Sequence, residues 1–547
     1  MIEAIAAVRD VIAYHETEKR PMCIVTLDFQ KAFDKVAHDY LFRILGRHGI
    51  SLWFTDRIRA MYGGMHASVQ INGALVGSIP INSGIRQGCP LSMCLYALCM
   101  YPLIRRLEAS LSCLKIGRYP LTTTVVAYAD DVTLFVKDHE GLAMIKEALQ
   151  LYERASGATI NTQKSSTMAI AGRAYPPPPL QFPRTNKVVI LGVIFHQTIA
   201  SASEDNWTKT VQAIRAQARR SFPRMLCLEQ RIQYVLVCLL AKLWFLAQTF
   251  PPKNSHLRQL TAVCQWYIWQ AAIFRVPTST LQRPLMEGGW NLPSIEAKCK
   301  TLLYNRLRIS ASQDGSVLAN VFKAWGLEHP IPNPPHMKKQ LRNLEYLLHY
   351  SLDAAYIPSP QPTGGTSVDK KHMYSTLYTL SKDSTQDGEM RITRKYPRVV
   401  WSRVWKNLHT SGLTPNVKSV WYAAIHDILP THDRLASINL VPTSQCPRCT
   451  DEDSVVHRVL HCQDGPLQWA WTRQKLALIL RTEARHIPNN WVTTPDMLLW
   501  PPQRHTAVIW ILAHYVFYRL QNNRRMSLSD YIEYMRRARW KSNAASC

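Results

Sequence analysis

Apolar positions in the first 200 residues follow two different rhythms. "CIVTL" (Cys23 to Leu27) is a β-branched run that predicts a buried strand ending on Asp28. "VVAYADDVTLF" (Val125 to Phe135) predicts two short strands joined at a tight turn that carries Asp130 and Asp131. Elsewhere the spacing is helical: an amphipathic helix over "MIEAIAAVRDVIAYHETEKR", a second from Asp39, and a third starting at Pro90 and running through "LSMCLYALCMYPLIRRLE". From about Asn206 to Tyr350 the helical period dominates, with Trp207, Val211 and Ile214 on one face. "EHPIPNPPH" and "YIPSPQPTGGTSVDKK" break it as an inter-domain linker, whereas "AYPPPPLQFPR" is short enough to be a surface loop within one domain. The pattern is that of an α+β chain: a mixed block over 1–200, a helical block over 201–350, a linker over 351–393 and a mostly helical block over 394–547. No repeat appears at the solenoid periods.

Composition narrows what such a chain can bind. With 547 residues and 47% hydrophobic positions it can bury sizeable cores, and 65 Lys and Arg against 38 Asp and Glu leave a net charge of +27. That surplus suits a polyanion such as nucleic acid. The start has acidic residues and no cleavage pattern, so it is not a secretory signal. The two most apolar stretches, "IQYVLVCLLAKLWFLAQTF" and "HTAVIWILAHYVFYRL", contain Lys242 and His514 and are expected as buried helices rather than membrane spans. Thirteen cysteines, mostly at no regular spacing, are expected as reduced thiols of an intracellular protein in the nucleus and/or cytoplasm.

The paired carboxylates Asp130 and Asp131 can be a solvated turn or part of a metal site. Asp28, also at a strand end, would join them if the strands lie side by side, and carboxylates so gathered are what two Mg2+ ions need for in-line phosphoryl displacement. In "SGIRQGCPLS" (Ser83 to Ser92), Gly84 and Gly88 allow close backbone approach to a ligand, while Arg86 and Gln87 offer donors. A plain Gly-Pro turn before a core helix is the alternative. "SGATINTQKSS" (Ser156 to Ser166) and "ILGVIF" (Ile190 to Phe195) complete the series.

In this order, Asp28 with "FQKAFD", "SGIRQGCPLS", "YADD", "SGATINTQKSS" and "ILGVIF" resemble the motifs of reverse transcriptases of LINE-type, non-LTR retrotransposons. The resemblance implies a polymerase right-hand palm over about the first 200 residues, followed by a helical thumb. It implies that Asp28, Asp130 and Asp131 hold two catalytic Mg2+ ions and that Lys164 is the general acid for departing pyrophosphate. Phe33 would exclude the 2'-hydroxyl of the incoming nucleotide by collision, and Arg86, Gln87 and Gly88 would lie against nucleotide or template. Leu191 and Gly192 would belong to the hairpin that grips the primer end, with Gly192 admitting backbone to backbone, unless it is a bulge. The implied partners are an RNA template, a DNA primer or target, and deoxynucleoside triphosphates, with no membrane. Lys209, Arg215, Arg219 and Arg220 would follow the duplex backbone, as would the terminal "MRRARWKSN".

"CPRCTDEDSVVHRVLHC" places Cys446, Cys449, His457 and Cys462 at zinc-knuckle spacing, with His461 a rival for the histidine. Three sulfurs and one nitrogen make a closed, structural Zn2+ site. The spacing through His457, with "VWYAAIHDILPTHDRL" and "QWAWTRQKLALIL" around it, resembles the zinc-binding domain downstream of LINE-type polymerases. Group II intron and telomerase-type enzymes fit that cluster poorly. So few residues precede Asp28 that the chain is expected to be truncated at its N-terminus, with only a remnant of the fingers. "TTPDMLLW" has no acidic partner soon after it and is not expected to be a nuclease. A catalytically dead remnant that only binds nucleic acid is the competing expectation.

Overall fold

The computed structural model describes residues 1–111, 114–120, 124–172, 180–222, 225–270, 272–313, 315–324, isolated positions between 374 and 393, 396–410, 412–494, 502–521 and 527–544. The expected linker over 351–393 lies almost wholly outside the described residues, as do the four successive prolines of "AYPPPPLQFPR" and Asp496. Two compact units divide the chain: 1–210 with 244–253 and 299–377, and 211–243 with 254–298 and 378–547. The stretch 201–350 contributes to both.

The first unit opens with α1 (Ile2–Thr17), β1 (Met22–Leu27), β2 (Phe29–Gln30), α2 (His38–Arg47) and α3 (Leu52–Tyr62). A ribbon, β3 (His66–Ile71) and β4 (Ala74–Pro80), leads to α4 (Ser92–Ser110) and a small hairpin, β5 (Lys115–Ile116) and β6 (Tyr119–Pro120). Next come β7 (Val125–Tyr128), β8 (Asp131–Val136), α5 (His139–Ser156), β9 (Thr159–Ile160), β10 (Ser166–Ile170), β11 (Lys187–Ile190), β12 (Val193–His196) and α6 (Ile199–Ser221). The main sheet has the order β10-β1-β8-β7 and is antiparallel throughout.

β1 is central and covered on both sides, which is why its sequence is a continuous apolar run rather than an alternating one. Val25 and Leu27 share a core with Leu134, Val136 and side chains of α2, α4 and α5. Ile24, with its register partners Phe135 and Met168, is buried on the other face. Side chains buried this fully stabilise by about 1.5–3 kcal/mol each. α5 packs Leu142, Ile145, Leu149 and Tyr152 at helical spacing against that core. It starts where the Asp138 carboxylate accepts from Gly141 N–H at 3.0 Å, and stops at Gly157, whose φ of 75° only glycine adopts cheaply.

"IQYVLVCLLAKLWFLAQTF", which both units share, is not one helix: Leu228–Tyr234 passes into a π turn over Val235–Leu239. Lys242 is exposed, so the charge that spoiled this stretch as a span sits on its solvent face. The other apolar stretch lies within a helix over Pro502–Gln521, with His514 buried and its Nδ1 bonded to the Trp510 carbonyl at 2.9 Å. Among the described residues no helix is long and apolar enough to cross a membrane.

An aromatic core ties helices Trp401–Thr410 and Pro415–Ile425 to the turn before Trp290. The Tyr422 hydroxyl donates to the Gly288 carbonyl at 3.0 Å, and a side chain at Gly288 would strike the Trp405 ring, 2.6 Å from where its Cβ would stand. Burial pushes His409 down to about 4 and His426 down to about 3, from an ordinary 6.5. Between those values the unfolded chain binds more protons than the folded one, so stability falls as pH falls below 6.5. The two histidines together set a limiting slope of about 3 kcal/mol per pH unit. Denaturant midpoints followed by tryptophan fluorescence are expected to be lower at pH 5 than at pH 7, with His426→Phe flattening the slope; a midpoint independent of pH would contradict this.

Candidate active site and metal centre

Strand register brings the predicted carboxylates together. Leu27 is paired with Val132, so Asp28 and Asp131 follow at the same end of the strand pair, near enough for the Asp28 charge to act on Asp131. The hairpin of β7 and β8 closes on the pair Tyr128 and Asp131, leaving Ala129 and Asp130 as its two turn residues. Ala129 has a φ of 56°, the sign that both favoured two-residue hairpin turns demand at this position and one that alanine adopts only at a cost of about 1–2 kcal/mol. Asp130 and Asp131 are exposed and Asp28 is half-buried. Partial burial raises Asp131 above the ordinary carboxylate range, and the charges of Asp130 and Asp28 push it the same way. Three acids that repel one another at the mouth of a sheet fit a cation. They do not form a tight cage: among the described residues, the one group of three or more such ligand atoms within 4.8 Å of each other is the Cys–His cluster.

The stretch 156–166 supports Asp28 from behind. Ser165 Oγ accepts from Asp28 N–H at 3.0 Å, and Asn161 N–H donates to the Asp28 carbonyl at 2.8 Å. Both backbone groups are therefore held, leaving the carboxylate free. Asn161 Oδ1 in turn accepts from Gln163 and Lys164 N–H, each at 3.2 Å. Lys164 is exposed on that turn. Neither Ser165 nor Asn161 stood out in the sequence, because both act through backbone contacts across the sheet.

"SGIRQGCPLS" docks on the loop after Asp28. Gly84 N–H donates to the Val36 carbonyl at 2.8 Å, Ile85 N–H to the Phe33 carbonyl at 2.6 Å, and Gln87 Nε2 to Asp34 Oδ1 at 3.2 Å. Gly84 must be glycine: its φ is 98°, and a Cβ would lie 2.8 Å from the Asp34 carbonyl oxygen. The close approach is thus to the protein's own backbone. Gly88 has a φ of 83° and open space around it, with exposed Arg86 and Gln87 beside it. The helix begins at Ser92 rather than Pro90, and the Ser92 hydroxyl donates to the Arg86 carbonyl. Phe33 stacks on Tyr96 of α4, with ring centroids 4.3 Å apart and planes at 21°. Burial raises the Tyr96 phenol and so does the nearby Asp130. Tyr96 was invisible in the sequence because its helical spacing is that of any core residue.

Leu191 and Gly192 form the two-residue turn of β11 and β12, closed by the pair Ile190 and Val193. Both have positive φ, 50° and 81°, as a type I' turn requires. Nothing lies within 4 Å of a Cβ built on Gly192. Gly192 is neither a bulge nor in a strand, and its positive φ suits the turn. On α6, Lys209, Arg215, Arg219 and Arg220 are all exposed, and Arg215 reaches Gln259 Oε1 at 3.3 Å.

The second cluster is tight. Cys446, Cys449, His457 and Cys462 bring their ligand atoms within 4.8 Å of one another. Cys446 Sγ and Cys462 Sγ are 3.7 Å apart, and Cys449 Sγ lies 3.1 Å from His457 Nε2. A tetrahedron with Zn–S bonds of about 2.3 Å has an S–S edge of about 3.8 Å, so the sulfur pair fits that ion. His461 is exposed and outside the group, which decides between the two histidines. Burial and the neighbouring Cys446 thiol push Cys462 up to about 12. The expected short helix is a π turn, His457–His461, closed by Cys462 N–H on the His457 carbonyl at 2.8 Å. Buried Asp453 braces the knuckle by accepting from Arg458 Nε at 2.7 Å and His432 N–H at 2.6 Å.

Residues 2–195 match the family model described as reverse transcriptase (RNA-dependent DNA polymerase), and residues 389–469 match the one described as zinc-binding in reverse transcriptase. Among curated proteins, a Xenopus laevis protein described as "Transposon TX1 uncharacterized 149 kDa protein" is 25% identical over 307 residues, covering 55% of this chain and 23% of the relative. A Drosophila melanogaster Pol polyprotein "from type-2 retrotransposable element R2DM" is 24% identical over 324 residues, 55% of this chain and 29% of that protein. A Popillia japonica polyprotein of element R2 is 28% identical over 162 residues, 28% of this chain and 26% of the relative. The matched region thus spans less than a third of each of these relatives.

Proposed function

We propose that this chain, whose residues 2–195 match the reverse transcriptase family and whose residues 389–469 match the zinc-binding family, is a reverse transcriptase of the non-LTR retrotransposon type that extends a DNA primer along an RNA template using deoxynucleoside triphosphates. The observation that carries this reading is the Leu27–Val132 pair, which leaves Asp28 and Asp131 as the next residues at one end of the strand pair, with Asp130 at the adjoining turn. On it, the first unit is a right-hand palm, α6 and its basic face begin the thumb, and the protein acts inside the cell, in the nucleus and/or cytoplasm, with no membrane partner.

Asp28, Asp130 and Asp131 would hold Mg2+, which when bound supplies charge neutralisation to the triphosphate and a more acidic primer hydroxyl. The chain's own residues do the rest. Gln87, tied to Asp34, and the open backbone around Gly88 form the floor on which the nucleotide rests. Phe33, kept upright by Tyr96, stands where a ribose 2'-hydroxyl would collide. Lys164, exposed at its turn, is free to reach the leaving pyrophosphate as proton donor. The hairpin turn Leu191–Gly192 is the primer grip.

Primer extension on an RNA template with Mg2+ tests the reading. Template-dependent growth of the primer is expected; binding of nucleic acid with no extension would favour a catalytically dead binding remnant. Phe33→Val is expected to lower discrimination against ribonucleotides by about 10- to 100-fold, read as the ratio of kcat/KM for the two sugars. Unchanged discrimination would remove Phe33 from that role.

A further inference from the structure

The geometry points to Arg519, 57 residues beyond the last proposed zinc ligand, as a positioning residue for the Cys–His centre. The proposal rests on the reading of that cluster as a zinc site. Arg519 sits in helix Pro502–Gln521 and is 7% exposed. Its Nη2 donates to the Cys462 carbonyl at 2.6 Å and to the Arg458 carbonyl at 2.9 Å, its Nε to the Val459 carbonyl at 3.2 Å, and its Nη1 to Gln468 Oε1 at 3.2 Å. Tyr515, one turn earlier on the same helix, donates its hydroxyl to the Val459 carbonyl at 2.7 Å.

These bonds fall on the segment that sets the ligand geometry. In an α-helix, residues five apart are about 140° from each other around the axis, so His457 and Cys462 would face different ways. The π turn, with its bond from residue five to residue zero, returns them to one side. That turn ends at Cys462, and a helix end leaves carbonyls without intrahelical donors. Arg519 supplies donors to two of them and to the ligand residue itself. No side chain could be added at Gly465 without striking the guanidinium, since a Cβ there would lie 2.9 Å from Arg519 Nη2.

Charge points the same way. Among the described residues every hydrogen-bond partner of Arg519 is neutral, three carbonyls and an amide, and a buried cation with no anion beside it is unfavourable. Three thiolates and a histidine around Zn2+ carry one net negative charge, which this guanidinium would face across the Cys462 peptide. Arg519 therefore fixes the shape of the turn and balances the charge of the filled centre.

The test uses the full chain as wild type, Arg519→Met, Arg519→Lys and, as a destabilised control, Leu260→Ala, a core truncation in the same unit. Zinc affinity by chelator competition is expected to fall about 10- to 100-fold in Arg519→Met. Arg519→Lys should recover part of the loss, having the charge without the planar fork. Leu260→Ala should melt earlier yet keep wild-type affinity in its folded form. Co2+-substituted Arg519→Met should show altered ligand-field bands. Wild-type affinity and an unchanged Co2+ spectrum in Arg519→Met, with only a lowered melting temperature, would overturn the proposal. Wild-type protein that binds neither zinc nor cobalt would instead overturn the zinc reading on which it stands.

Discussion

Asp130→Ala is expected to reduce Mg2+-dependent primer extension at least about a thousandfold, equivalent to about 4 kcal/mol of transition-state stabilisation. Asp130 occupies a hairpin turn, is exposed, and lies close enough to Asp131 and Tyr96 to shift both. Its carboxylate contributes no packing, so truncation should leave the melting temperature within about 1–2 °C of wild type. It would also relieve repulsion on Asp131, whose pKa should move back down toward the usual carboxylate range. The measurement is a single-nucleotide extension rate paired with a thermal melt. Extension at the wild-type rate would remove Asp130 from the site, whereas lost extension with a collapsed melt would make its role structural.

Cys446→Ser combined with Cys449→Ser is expected to abolish zinc retention and destabilise the second unit by at least about 5 kcal/mol, or about 10 to 20 °C. The sulfur spacing of 3.7 Å, close to the edge of a zinc–thiolate tetrahedron, is what makes the loss large. Without the ion, Cys446 and Cys462 are left facing each other and Cys449 facing His457, with no cation to hold them together. Mass spectrometry for bound zinc and a two-unit thermal melt read the result directly. Zinc retained by the double variant would contradict the assignment of the ligands.

Much of this arrangement was legible in the sequence because it is written in local pattern. The apolar run ending at Asp28 forms β1, the "YADD" turn is a hairpin, and His457 with the three cysteines converges as its spacing implied. The residues that brace those groups were not legible. Tyr96 looks like any helical core position, Ser165 acts on Asp28 from 137 residues away, and Arg519 sits in a stretch whose apolar neighbours disguise it. Their roles depend on which elements meet, and that is set by tertiary packing rather than by period. At Gly192 the alternative of a strand bulge falls away, because the residue is the second of a two-residue turn, where a φ of 81° suits glycine.

The central position of β1 also shapes how the chain is made. Its two sheet partners, β8 and β10, lie more than about 100 residues later, so a ribosome adding roughly 5–20 residues per second leaves β1 unpaired for roughly 5 to 30 s. During that interval β1 has no sheet partner, and only the helices already made, α1 to α4, can cover its apolar faces. Nascent chains arrested before residue 131 should therefore be the aggregation-prone ones, and those carried past residue 170 should not.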